Sequence, residues 1–306
     1  MGMDEALYST ILTSGAWANL TTRAKWRLSG GDRVRYLNGQ VTNDIRTARA
    51  DRALLACVTN AKGRVEAEIR VHTTEDALFL DAPAELREAL GARLERYIIA
   101  DDAVLEDVTE DWQLWHWTGP SVAPETGFPE GSRKLASSRF GLSGLDFWVP
   151  AGAGAVHPQG PVLSESDMEC LRIVQRVPGW PAELNPEVFP PEAGLEESAM
   201  SFTKGCYIGQ EVLSRIKTTR KMPRELIAWT VGAEVEESTL KPGSSIWLGD
   251  KEVGTLTSVT RHPASNRLTG LGYVRQGMAS ADSVLLVGNG PASIAARLEF
   301  SALLTP

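Results

Sequence analysis

Lys204-Gly205-Cys206-Tyr207-Ile208-Gly209-Gln210-Glu211 is the stretch around which the chain is organised. It sets a candidate nucleophile, Cys206, two residues from the ammonium of Lys204. Gly205 and Gly209 permit backbone angles or close ligand approach that a side chain would forbid. Downstream, Val212, Leu213 and Ile216 have the spacing of the buried side of a short helix, with Glu211 favourably placed in its first turn. A thiol just ahead of a helix N-terminus and beside a lysine is biased towards thiolate, and so towards reactivity. The same residues also allow a plainer reading, with Cys206 a small buried hydrophobe and Lys204 a solvated charge.

The bulk of the chain narrows the classes. At 306 residues it is long for one core, so two or three domains are expected. A hydrophobic share of 42% and a charged share of 23% describe an ordinary globular protein. The 31 basic and 39 acidic residues give a net charge of −8, which argues against nucleic-acid or membrane binding by bulk charge. Cys57, Cys170 and Cys206 are odd in number and far apart, and four histidines are equally scattered. That pattern is neither a disulfide framework nor a metal site, and it fits a reducing cytosol. No basic region followed by an apolar core opens the chain and no apolar run approaches membrane length, so a soluble cytoplasmic protein is expected.

Working outward, residues 1–25 carry little pattern, and the first dozen are expected to be poorly tied down. Lys25–Leu28 suits a short strand, and Asp32 a helix cap with Val34 and Leu37 on the apolar side. Residues 53–59 suit a buried strand. Arg64–His72 alternates, with Val65, Ala67, Ile69 and Val71 on one face and Arg64, Glu66, Glu68, Arg70 and His72 on a solvated one; the two segments form a hairpin. Cys57 is expected in the core. After a strand at 78–80, Asp81 and Pro83 are expected to start a helix with Leu86, Leu90, Leu94 and Ile98 as its stripe. Trp112, Trp115 and Trp117 are expected to be core aromatics. Asp167 is expected to cap a helix to about Gln175, with Cys170 structural. From Leu226 six short strands, with turns at Gly249-Asp250 and Gly288–Pro291, suggest a small antiparallel barrel. Arg215–Arg224 holds five cations and no acid, which suits a phosphate, a glutamyl tail, a nucleic acid or simply a solvated face.

The motif Lys-Gly-Cys-Tyr-x-Gly-Gln-Glu at 204–211 resembles the signature of the YgfZ family, folate-binding proteins linked to iron–sulfur cluster assembly and repair. That family is a branch of the superfamily of the glycine-cleavage T-protein, an aminomethyltransferase. Leu37–Asp44 and Leu271–Arg275 are similar to further pieces of that superfamily. The resemblance implies an α+β, T-protein-like fold of three domains around a central cavity. These are a discontinuous first domain (1–50 with 155–219), a second domain (51–154) whose sheet carries helices on one face, and a C-terminal β-barrel (220–306). It implies a tetrahydrofolate cofactor held by Gln40, Asn43, Glu183, Tyr207 and Gln210. Glu183 would grip the pterin ring, because one carboxylate can accept from a ring N–H and an exocyclic amine together. Cys206 and Lys204 would be the reactive pair, with no resident metal.

Three functions follow from the same residues. The first is a folate-dependent accessory factor for iron–sulfur clusters, whose partners are assembly or client proteins and which has no classical turnover. The second is folate-dependent one-carbon transfer, as in the aminomethyltransferases. Those enzymes resemble this chain except that their pair of acids on the second hairpin strand falls on Ala67 and Glu68, so one carboxylate is missing. The third is an interaction module that contacts tRNA through 215–224.

Overall fold

The structure is a computed structural model that describes residues 3–120, 122–123, 127–154, 156, 158–279, 283–288 and 294–299. The chain opens with helix α1 (Glu5–Thr13) and strands β1 (Ala16–Asn19) and β2 (Ala24–Ser29), then α2 (Arg33–Gln40). Next come β3 (Leu54–Thr59), β4 (Val65–Thr73), β5 (Ala77–Ala82), α3 (Arg87–Glu95) and β6 (Val104–Asp107). Strands β7 (Trp112–Thr118), β8 (Arg133–Ala136), β9 (Gly144–Pro150) and β10 (Val162–Leu163) lead into α4 (Glu165–Val174), α5 (Glu196–Ala199) and α6 (Gln210–Thr219). The last part holds β11 (Arg224–Thr230), β12 (Ser245–Leu248), β13 (Lys251–Arg261), β14 (Leu268–Arg275), β15 (Val284–Val287) and β16 (Ile294–Glu299).

These strands make two open sheets and a barrel. One sheet runs β3-β4-β5-β2-β6, the second β10-β1-β7-β9-β8, and β11-β14-β13-β12-β15-β16 close into a barrel. The first sheet buries Trp26, Ile69, Val71 and Leu80 against Leu37 of α2 and Leu90 and Leu94 of α3, so helices cover one face, as expected. Its opposite face meets the second sheet through Phe79, Leu114 and Trp148. The barrel core gathers Trp229, Ile246, Leu256 and Val274. The Gly249-Asp250 turn joins β12 to β13, with Gly249 at φ +58; the turn expected at Gly288–Pro291 lies largely outside the described residues. Trp115 and Trp117 are core aromatics.

Several local expectations are corrected. Of the first dozen residues, those from Asp4 on are tied down: α1 is capped by Asp4, which accepts from the Leu7 N–H, and Tyr8 and Ile11 are buried. Ser164, not Asp167, caps α4. Its hydroxyl accepts from the Asp167 N–H while the Asp167 carboxylate accepts from the Ser164 N–H, a reciprocal capping box. Asp81 starts no helix; it lies in β5 and is buried. The alternation of β4 is broken by a bulge, since Val58 pairs with Ala67 but Thr59 with Val65. Val65 therefore turns towards Cys57, and Ala67, Ile69 and Val71 enter the other core. The face expected to be solvated is covered: Arg70 is buried and ion-pairs with Glu68.

A buried ionic cluster joins the two open sheets. The Arg139 guanidinium donates to both oxygens of Asp81 (2.9 and 2.8 Å) and both of Asp146 (2.8 Å each). His116 Nδ1 sits 2.8 Å from Asp146 Oδ1, and Arg23 adds a contact to Asp81. Burial alone would raise the carboxyl pKa values, but the arginines outweigh it and hold both carboxyls well below the usual range. Nearby, burial and then Arg133 push the His72 imidazole down to about 3, and burial also lowers His116 against the pull of Asp146.

The His72 imidazole is neutral when folded and takes up a proton once unfolded. Stability therefore falls as pH drops below about 6.5, by up to about 1.4 kcal/mol per pH unit for His72, and the lowering at His116 acts in the same direction. The two aspartates act lower, because their contribution is complete above their unfolded value near 4 and is lost as pH falls below it. Urea denaturation from pH 7 to 4.5 is expected to show this slope, and His72→Gln to remove His72's share. Arg139→Met is expected to cost about 3–5 kcal/mol at pH 7, because it leaves buried Asp81 with Arg23 alone and buried Asp146 with His116 alone.

Candidate functional site

The loop before α6 is fastened at both ends, and Cys206 stands between the fastenings. At one end the Lys204 ammonium donates to the carbonyls of Asn38 (2.6 Å), Val41 (2.7 Å) and Asn43 (2.7 Å). An ammonium has three protons, so all are taken. Those of Asn38 and Val41 fall at the C-terminal end of α2, where carbonyls lack helical partners and the dipole favours a cation, and that of Asn43 lies in the loop just beyond. Nζ also lies 4.9 Å from the Tyr207 ring centre. Burial brings the Lys204 pKa down to about 8.

At the other end Ile208 is held on both sides: its N–H donates to Gly39 O (3.2 Å) and its carbonyl accepts from Thr59 Oγ1 (2.6 Å). Gly209 has φ +88, and a Cβ there would lie 2.6 Å from Asn60 O and 2.9 Å from Gly63 Cα. The helix can therefore start only where a glycine lets it meet the Asn60–Gly63 turn. Gly205 differs: a Cβ there would meet nothing within 4 Å. Further fastening comes from Thr42, whose hydroxyl donates to Ala199 O (2.6 Å) and accepts from the Cys57 N–H (2.9 Å).

Cys206 is exposed, whereas Cys57 and Cys170 are buried. The plainer reading of Cys206 as a buried hydrophobe is thereby excluded. Burial raises the pKa of both inner thiols, with Glu68 adding to the effect at Cys57. Cys206 lies three residues ahead of the Gly209 cap, outside the first turn of α6.

Around this loop the proposed ligand residues divide by what they already hold. The Asn43 amide donates to Leu55 O (2.8 Å) and Ser198 O (3.3 Å) and accepts from the Asp44 N–H (2.9 Å). Gln40 accepts from Arg93 at 2.9 Å. Gln210 is half-buried at the start of α6. The Tyr207 hydroxyl is buried with no hydrogen-bond partner among the described residues, as is Ser198 Oγ, and burial pushes the phenol up to about 12. Glu183 lies elsewhere, in the seam between α4 and the barrel. It is fully buried and accepts from Ser258 Oγ (2.6 Å), Arg172 (2.9 Å) and the Gly179 N–H (2.9 Å). Asn43, Lys204 and Tyr207 are in contact around the loop that carries Cys206 and leads to Gln210, Gln40 is held by Arg93, and Glu183 is held by α4 and the barrel. Thr42, Thr59 and Gly63 also fasten this loop, and their only sequence signal is the Thr-Asn and Lys-Gly turn chemistry around them.

The fold is that of the glycine-cleavage aminomethyltransferases. Aminomethyltransferase T of the glycine cleavage system from Bartonella henselae matches 98% of this chain and 88% of its own with a TM-score of 0.81, at 13% identity. No family model matches the sequence. Among curated proteins, a chloroplastic Arabidopsis thaliana protein described as a transferase is 26% identical over 311 residues, covering 92% of this chain and 70% of its own. The tRNA-modifying protein YgfZ of Serratia proteamaculans is 25% identical over 273 residues (82% and 80%), and that of Vibrio vulnificus 27% over 259 (80% and 79%). In sequence the chain is thus similar to YgfZ proteins, and in fold to the aminomethyltransferases. Among the described residues no helix is long and apolar enough to cross a membrane.

The two glycines separate in a direct test. Gly209→Ala is expected to destabilise the protein by about 2 kcal/mol or more, through left-handed strain and the clash with the turn backbone. Gly205→Ala is expected to stay within about 0.5 kcal/mol of wild type. Thermal denaturation of both variants reads the difference.

Proposed function

We propose that the protein is a tetrahydrofolate-binding factor serving tRNA modification and iron–sulfur clusters, and that it acts through Cys206. The observation that carries this is an exposed thiol on a loop fastened on both sides, in a chain whose other two thiols are buried. A fixed loop removes much of the entropy of presenting the sulfur to a partner, which favours attack on an electrophile or transient contact with iron brought as cargo.

For the folate, the buried Tyr207 hydroxyl, without a hydrogen-bond partner among the described residues, is the polar atom that fits a ligand best, and half-buried Gln210 follows it three residues on in sequence. Bound there, a tetrahydrofolate would supply a one-carbon carrier. In this reading Asn43, Gln40 and Glu183 position the walls, because protein donors and acceptors already engage them. Lys204 positions Cys206 as well: its three protons are committed to carbonyls, so it shapes the loop and contributes charge without shuttling a proton. The domain division at 1–50 with 155–219, 51–154 and 220–306 belongs to the same proposal, with β2 and α2 reaching into the sheet formed by 54–107.

One-carbon transfer has less support. Ala67 is sealed in the core and Glu68 is ion-paired to Arg70, so no free acid stands at either position. Direct tRNA contact is favoured by the exposed Arg220 and Lys221 at the end of α6. Lys217 is ion-paired with Glu196, and Arg224 donates to Glu187 O while stacking on Tyr273, which weakens the field of the run.

Iodoacetamide labelling followed by mass spectrometry is expected to modify Cys206 in the folded protein and the other two thiols only after unfolding. Cys206→Ser is expected to retain tetrahydrofolate binding by tryptophan fluorescence, yet to lower client cluster content under oxidative stress and the level of tRNA modification. Normal clusters and tRNA in that variant would remove the thiol from the function. If Arg215, Arg220 and Lys221 alone touch RNA, the slope of log K against log salt is expected to be about −2 to −3.

A further inference from the structure

Ile208, two residues on from Cys206, is held through both of its backbone groups. Its N–H donates to Gly39 O (3.2 Å) near the end of α2, and its carbonyl accepts from Thr59 Oγ1 (2.6 Å) at the end of β3. Both fastenings lead to the same guanidinium. Arg93 Nη1 donates to the side-chain oxygen of Gln40 (2.9 Å), the residue after Gly39, and its Nη2 donates to the carbonyl of Thr59 itself (3.3 Å). Nε completes the set with the Glu66 carboxylate of β4 at 2.9 Å.

Each nitrogen of this guanidinium therefore holds a different element, α2, β3 or β4, from a base on α3. That base is itself fixed, because Leu90 and Leu94 seat α3 in the core of the first sheet. The Arg93 side chain is only 12% exposed, and its guanidinium carbon lies 4.3 Å from the centre of the Tyr97 ring. Stacking of this kind adds a cation–π attraction and orients the plane of the fork.

A guanidinium is rigid and planar, so engaging all three nitrogens sets the separation of the groups they hold. Here those groups are the end of α2 and the end of β3, the two supports of Ile208. A lysine ammonium is one point on a flexible stem, and it does not span acceptors spread along a fork.

We infer that Arg93 is the positioning residue that sets where the Cys206 thiol stands. It acts through Gln40 and Thr59 on the backbone of Ile208, and so on the loop two residues upstream. The use of this bracing in function rests on the Cys206 reading above, but the bracing itself is measured on the loop alone.

The test is native-state amide hydrogen exchange of the full chain. In Arg93→Lys the Ile208 amide is expected to exchange at least about tenfold faster than in wild type, with the amides of β13 and β14 unchanged, because a local opening has its own free energy. Thr59→Val removes the hydroxyl that holds the Ile208 carbonyl and is expected to speed the same amide. In the double variant the two effects are expected to fall short of multiplying, since Arg93 works partly through Thr59. A nitroxide attached to Cys206 is expected to give a more mobile electron paramagnetic resonance spectrum in Arg93→Lys, which carries the loosening to the sulfur. An unchanged Ile208 amide or nitroxide spectrum in Arg93→Lys, equal acceleration across the barrel, or effects that multiply in full would overturn the inference. None of these readouts involves folate, clusters or tRNA, so failure of the Cys206 reading is detected separately, by the Cys206→Ser variant.

Discussion

The Lys204 ammonium, seated on three carbonyls at the end of α2, is the contact on which the site depends. It joins two segments more than 160 residues apart in the chain, and it does so at a helix end that needs partners. Removing its charge would orphan carbonyls on one side and release the Cys206 loop on the other. The ammonium is costly to bury alone, and the three charge-assisted bonds are what make the arrangement tolerable.

The same solution recurs at the other seams. Lys25 is fully buried, and its ammonium donates to the carbonyls of Thr21 (2.6 Å), Arg23 (2.8 Å) and Thr109 (3.4 Å). Arg139 closes the gap between the two open sheets with four bonds to two aspartates. Glu183 ties α4 to the barrel through Arg172 and Ser258, and Tyr273 of β14 adds a bond from its hydroxyl to the Glu183 carbonyl at 2.8 Å. Each seam is specified by a buried charge whose geometry leaves few alternatives. Apolar packing then supplies most of the stabilisation around it.

This explains what could be read from the sequence. The barrel, the helices over one sheet face and the burial of Cys57 and Cys170 follow from period and composition, which are local properties. The motif at 204–211 carried the fold through its resemblance. Local pattern could not show that Lys204 faces inwards, that Glu183 is saturated, or that Arg70 is covered. Each depends at least in part on a distant partner: Ser138 for Arg70, Ser258 for Glu183 and Asn38 for Lys204. The bulge that redirects Val65 is equally silent, because an inserted residue leaves the alternation of its neighbours looking intact. Strand β1 escaped notice because four residues are too few to show a period.

Satisfaction of hydrogen bonds therefore sorts positioning residues from ligand-facing ones better than residue type does. Asn43, Lys204 and Glu183 look like binding residues in the sequence, yet folding alone gives them partners. Tyr207 is the contrasting case, since its buried hydroxyl has no hydrogen-bond partner among the described residues. Such an atom costs roughly 1–3 kcal/mol in the free protein, and a ligand that supplied the missing partner would recover part of that. In the folate-binding reading proposed above, the binding energy would be concentrated on the residue beside Cys206 in the chain. Occupancy of the site and the orientation of the thiol would then be coupled through one backbone step.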